Sequence, residues 1–158
     1  MRKDTWKPFA FFILLSEAVG MVSGLLNRGG MERYSDAVRK PPVSPPSIVF
    51  PIVWAILYAL MGIGMARVWL QAGRSQREKS LRLYGGQLFF NFCWTFLFFT
   101  FQAYMPAFFW LAALLVLVIL MALAFRKTDA PAAWMQLPYV LWLLFAGYLN
   151  AAVWALNG

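Results

Sequence analysis

Two rows of aromatic and amide side chains stand at helical spacing in this sequence. Tyr84, Gln87, Asn91 and Trp94 follow at steps of three, four and three, and Tyr139, Trp142, Ala146 and Asn150 at steps of three, four and four. Side chains three or four residues apart share one helix face. Trp54 and Tyr58 add a third, shorter row. Indole and phenol rings stack on flat aromatic groups, and carboxamides supply directed donors and acceptors. Such rows give each span an aromatic-plus-amide face that could line a pocket. They do not form a conventional catalytic constellation. The chain has no histidine, which removes the proximal imidazole of haem, a common zinc ligand and His-based proton transfer. No metal site is expected. The single cysteine, Cys93, allows no intrachain disulfide.

Helices in a membrane must position these rows. The 158 residues are 62% hydrophobic and 13% charged, whereas soluble domains carry about 25% charged residues. Apolar stretches cover residues 9–26, 48–70, 83–101, 105–125 and 131–155. Roughly 20 apolar residues span a bilayer core, and barrel strands are about half that length with alternating polarity. The pattern therefore predicts one all-α domain over residues 1–158, a bundle of five transmembrane helices. The net charge of +8 implies no nucleic-acid partner, because the basic residues flank apolar stretches. Arg2, Lys3 and Lys7, then Arg67, Arg74, Arg77, Lys79 and Arg82, then Arg126 and Lys127 fall on one side. Arg28, Arg33, Arg39 and Lys40 fall on the other. The positive-inside rule predicts the amino terminus inside, the carboxyl terminus outside and the first loop outside. Arg2-Lys3 followed by an apolar run and Ser16-Glu17-Ala18 has the layout of a signal peptide. The run continues through Val22 and Leu26, so a retained span is expected.

The first loop, residues 27–47, is long for a connection between helices and points to function. Residues 31–38 can form a short helix with Tyr34 and Val38 on one side. The stretch Arg39-Lys40-Pro41-Pro42-Val43-Ser44-Pro45-Pro46 follows. Its prolines fix φ and remove donors, giving a stiff, basic, extended lid. The second loop, residues 71–80, reads as a plain polar turn. Gln102-Ala103 leaves almost no third loop. Asp129-Ala130-Pro131 reads as the start of the last helix.

Ser16, Gly20 and Gly24 form a small-residue row suited to close helix packing. Glu17 is an acid inside a span, a functional hypothesis by default. It reads as part of a proton or substrate path, as a protonated group bonded to a neighbouring helix, or as a dimer contact. The structural readings are preferred because no basic partner lies within a span. The fourth stretch has no polar face and is expected to be largely lipid-facing. Trp6, Trp69 and Trp154 are assigned to the interfacial belt, with Trp110 and Trp134 as interface or lipid anchors. Asn91, Trp94, Trp54, Trp142 and Asn150 fall in the outer half of their spans. They are expected to line one pocket beneath the proline-rich loop.

Several motifs together resemble the TspO/MBR family of tryptophan-rich sensory proteins, related to the translocator protein. They are Tyr34-Ser35-Asp36-Ala37-Val38-Arg39-Lys40-Pro41 with Pro45-Pro46, and Trp54-Ala55-Ile56-Leu57-Tyr58. Gln87 through Thr95, with Phe98-Phe99, adds a third. Leu137-Pro138-Tyr139-Val140-Leu141-Trp142 and Tyr148-Leu149-Asn150 complete the set. The resemblance implies a five-helix bundle, a homodimer, and binding of porphyrins such as protoporphyrin IX and of aromatic drug-like molecules. It places the protein in a bacterial cell-envelope membrane or, in a eukaryote, the mitochondrial outer membrane. It carries Tyr34, Trp54, Asn91 and Trp142 onto ligand-pocket positions, and Ala146 onto a position where side-chain size affects binding. It also implies three functions to separate: a porphyrin-binding sensor or regulator, light-dependent porphyrin breakdown through Trp54 or Trp142, and small-molecule transport. No obligate cofactor is implied.

The chain departs from the family pattern in ways that matter. Pro42 and Ser44 stand where the loop often carries aromatics, Arg33 where a tryptophan often precedes Tyr34, and Phe96 where a proline is usual. The lid is therefore expected to supply closure and charge rather than stacking, with Arg39 or Lys40 pairing with porphyrin propionates. No Lys or Arg follows Tyr148, so a sterol site of the usual family type is not expected. Without histidine, metal-free porphyrin is the expected ligand.

Overall fold

A computed structural model describes residues 4–158. Arg2 and Lys3, part of the amino-terminal basic cluster, lie outside the described residues. The described chain is helical, with no strand. Its helices are α1 (Trp6–Leu26), α2 (Arg28–Ala37), α3 (Val49–Gln71), α4 (Arg74–Thr95), α5 (Tyr104–Arg126), α6 (Ala130–Trp134) and α7 (Leu137–Asn157). Four segments are long and apolar enough to cross a membrane: α1, α3, α5 and the stretch from α6 through α7. α4 differs because its first turns are charged. Its apolar half continues without interruption into a π-helical turn, Phe96–Thr100. There Phe101 N–H donates to Phe96 C=O at 2.9 Å and Ala103 N–H to Leu97 C=O at 2.8 Å. Beyond the turn, Gln102 takes φ 51° and lets the chain reverse into α5.

Two expectations about the helices change here. Residues 74–80 are not loop: α4 begins at Arg74, leaving Ala72 and Gly73 as the connection. This segment contains helix formers, and the Arg74–Glu78 pair at 3.2 Å adds i,i+4 support. The last stretch is not one continuous helix. α6 starts on the expected signal, with Asp129 accepting from the Ala132 N–H at 3.1 Å. It stops at Trp134, however, and α7 begins at Leu137. Pro138 lacks an N–H, so it sits in the first turn of a new helix instead of extending the old one.

α5 is mostly unburied, as expected, but it also has an inward face. A third of its apolar window is buried, against 17% for α1. Ala107, Leu111, Leu114, Val118, Met121 and Phe125 form a buried stripe against α4, α6 and α7. In a membrane, helices pack by shape as well as polarity, so an inward face need not be polar. The most lipid-exposed helix is α1, which shows Phe11, Leu14, Met21, Val22, Leu25 and Leu26 to the outside.

Close contact between α1 and α3 centres on Gly62. A Cβ there would lie 2.6 Å from Ile13 backbone atoms. Within the expected small-residue row, Ser16 is buried and bonded to the Tyr84 hydroxyl. Gly20 lies against the Tyr58 ring, while Gly24 faces open space. Trp110 is not a lipid anchor. Its ring stacks on Phe90 at 4.3 Å and its Nε1 donates to the Phe90 carbonyl at 2.8 Å, fastening α5 to α4. Trp6 and Trp134 are exposed, whereas Trp69 and Trp154, also assigned to the belt, are half-buried against the core.

Candidate ligand site

The aromatic and amide rows do converge, but into two clusters. In the first, α3, α4 and α7 meet. The Tyr58 hydroxyl donates to Asn91 Oδ1 at 2.8 Å, and Asn91 Nδ2 donates to the Tyr139 hydroxyl at 2.8 Å. That hydroxyl donates to Gln87 Oε1 at 2.7 Å. Gln87 Nε2 reaches the Met61 thioether at 3.3 Å. All four polar residues are buried. An unpaired amide in hydrocarbon is costly, so this closed chain is what makes the row tolerable inside a membrane. Above it sit Trp54 and Trp142, both half-buried. Their ring centres are 6.4 Å apart and edge to face, and Trp54 also contacts Tyr58 and Tyr139. Phe50 meets Trp142 at 5.8 Å.

The second cluster lies further along α4. Trp94 is stacked on Phe98 at 5.1 Å and donates through Nε1 to Asn150 Oδ1 at 3.0 Å. Asn150 Nδ2 donates to the Tyr104 carbonyl at 2.8 Å. Tyr34 reaches this cluster from α2, its ring 5.3 Å from both Phe98 and Phe99. Burial, with Tyr104 adding to it, pushes the Tyr34 phenol up to about 12, so it stays neutral at ordinary pH. Ala146 is buried on α7 between Trp142 and Asn150 in sequence and bridges the two clusters along that face.

The first loop is fixed at several points. Arg33 donates from Nη2 to the carbonyls of Phe99 (2.9 Å) and Thr100 (3.0 Å), capping the π turn. Gly30 makes this approach possible, since a Cβ there would meet the Phe99 carbonyl at 2.5 Å. Lys40 turns back on α2. Its Nζ donates to the carbonyls of Tyr34 (2.7 Å), Ser35 (3.0 Å) and Val38 (3.3 Å), and it lies 4.9 Å from the Tyr34 ring centre. Lys40 is thus committed to the carboxyl end of α2. Arg39 is exposed, with its backbone held by Asn157 and its guanidinium making no hydrogen bond among the described residues.

Several of these residues lie beyond the predicted rows. Met61 stands three residues from Tyr58 on the same face, so its place in the network was available from spacing. Arg33 stood out only as a basic residue of the first loop and a departure from the family pattern. Tyr104 acts through its backbone carbonyl, and Asn157 sits in a last helical turn; neither carries a sequence signal. Glu17 is half-buried on α1 near Tyr58 and makes no hydrogen bond or ion pair with the described residues. No cluster of acidic, histidine or cysteine side chains that can hold a metal occurs among the described residues.

Long apolar helices around a buried aromatic–amide interior define a multi-pass integral membrane protein. The chain belongs to the TspO/MBR family, whose model matches residues 12–155. It is 34% identical over 154 residues to the translocator protein of Bos taurus, covering 96% of this chain and 91% of the relative. Against the tryptophan-rich protein TspO of Chlorobaculum tepidum it is 33% identical over 150 residues, covering 94% of each. The human translocator protein is 32% identical over 155 residues, with 96% and 91% covered.

Proposed function

We propose that this protein is a membrane receptor for a tetrapyrrole, and that it also accepts flat aromatic small molecules. The reading rests on the pair Trp54 and Trp142 above the Tyr58–Asn91–Tyr139–Gln87 network. The two indoles offer faces to a macrocycle, and the network beneath them is polar yet fully paired. With the rings in contact, ligand entry requires Trp54 and Trp142 to part. The half-buried position of both side chains permits this without disturbing the network below. Arg39, whose guanidinium is uncommitted, is the residue to pair with a propionate. Tyr34, Trp94 and Asn150 support the site from the second cluster.

The apolar half of α4 with its π turn is the fifth span in this reading, bringing the number of crossings to five. The uneven basic loops support a topology with the amino terminus inside and the carboxyl terminus outside. The working form is a homodimer, and the porphyrin is metal-free because the chain supplies no axial imidazole.

The test is a titration of purified protein with protoporphyrin IX, following tryptophan fluorescence first in darkness and then under illumination. Saturable quenching that weakens in Trp54→Phe and Trp142→Phe is expected. Absence of saturable quenching rejects the receptor. Bleaching of the bound porphyrin in light that depends on either tryptophan would instead make the protein a photochemical enzyme.

A further inference from the structure

The turn between α3 and α4 carries a site that has no part in the aromatic clusters. A groove of about 400 Å³ is lined there by Trp69, Arg74, Arg77, Glu78 and Leu81. Arg77 lays its guanidinium over the Trp69 ring, 4.5 Å from its centre. Stacking occupies the flat face of the guanidinium and leaves its edge donors for an anion. The Arg77 Nε is buried and makes no hydrogen bond among the described residues. A buried donor without a partner is costly, and an incoming oxygen would relieve that cost.

The charge around the groove points the same way. α4 begins here with no side-chain cap and no acid in its first turn. The positive end of the helix dipole therefore adds to Arg74 and Arg77, an arrangement that costs stability unless an anion is present. Glu78 is the acid that faces the groove. It is half-exposed and shared between Arg74 at 3.2 Å and Arg82 at 3.7 Å, so it does not neutralise Arg77.

From these features we infer that the groove binds the phosphate of an anionic phospholipid. Its phosphate meets Arg77, Arg74 and the first turn of α4, and its acyl chain runs past Trp69 and Leu81. The choice of a lipid over a free anion follows from position. The groove opens where the apolar helix α3 ends beside the charged first turns of α4, Leu70 and Leu81 are exposed there, and one wall is an indole. Basic pockets at this level select anionic headgroups.

Native mass spectrometry of detergent-purified protein tests this with phosphatidylglycerol and phosphatidylcholine of identical acyl chains. Phosphatidylglycerol should be retained about thirtyfold better, given two arginines near the surface. The double variant R74Q/R77Q should bring the two lipids to parity. R126Q/K127Q removes the same charge from another loop and should leave the preference intact. Parity in the parent protein, or equal loss in R126Q/K127Q, would overturn the site. Displacement of the lipid by millimolar inorganic phosphate would overturn the lipid as its occupant.

Discussion

The side chain of Asn157 grips the backbone of Arg39 from both sides. Its Oδ1 accepts from the Arg39 N–H at 3.0 Å and its Nδ2 donates to the Arg39 carbonyl at 2.8 Å. One carboxamide thus imitates a neighbouring β-strand and ties the proline-rich loop to the end of α7. The partners are 118 residues apart in sequence. Asn157→Ala should remove both bonds and weaken loop closure by about 1–2 kcal/mol. Hydrogen exchange at residues 38–48 should accelerate while α3 and α5 stay protected. Unchanged exchange in the loop would show that the prolines and the Lys40 contacts hold it without Asn157.

Tyr139 is the centre of the buried network. Tyr139→Phe keeps the ring but strands Asn91 Nδ2 and Gln87 Oε1, each bonded to that one hydroxyl. Interhelical hydrogen bonds in membranes are modest, so a loss of about 1–2 kcal/mol is expected. Thermal unfolding in detergent measures it. Tyr148→Phe, at an exposed position, should have no effect.

Glycines on α1 and α3 divide by what they face. Gly62→Ala places a Cβ against the backbone of Ile13, which cannot step aside, and should cost about 1–3 kcal/mol. Gly24→Ala meets nothing and should raise helix stability by about 0.5–1 kcal/mol. The same unfolding assay ranks them. Equal effects would mean that α1 and α3 do not cross at Gly62.

Acid should loosen the junction of α3 with α6. Arg67 donates to Asp129 at 2.6 Å and 3.2 Å, and this bond holds the Asp129 carboxyl below its ordinary range, against the opposing effect of burial. The unfolded chain therefore takes up its proton first as pH falls. Stabilisation is complete well above about 3.9, the unfolded value, and disappears as pH drops through the lower folded value. Asp129→Asn retains an amide able to cap α6 but loses the ion pair. It should cost about 1 kcal/mol at neutral pH and flatten stability against pH below about 5.

The helical rows were legible because burial in a membrane imposes the same period on polar and apolar residues. Tyr58, Gln87, Asn91 and Tyr139 meet as their spacing requires. Their grouping was not legible. Trp94 and Asn150 share faces with the first cluster, yet pair with each other beside Phe98, because depth along a helix depends on the loop and π turn at its end. α5 shows the converse problem. A purely apolar sequence reports hydrophobicity but not which side packs, and shape alone chooses Leu111, Leu114 and Val118. The break before Pro138 was written in the sequence, but an apolar run of this length concealed it.

The π turn at Phe96–Thr100 holds one residue more than an α turn would. Across it the chain is therefore rotated progressively, by about 100° at its end, relative to an uninterrupted helix. That rotation turns Phe98 and Phe99 toward Tyr34, and it presents the Phe99 and Thr100 carbonyls to Arg33. The turn behaves as a phase shifter between the interior of the bundle and its cover. Deleting a single residue within 96–100 should leave the helices formed but bring the cover to the bundle at the wrong azimuth.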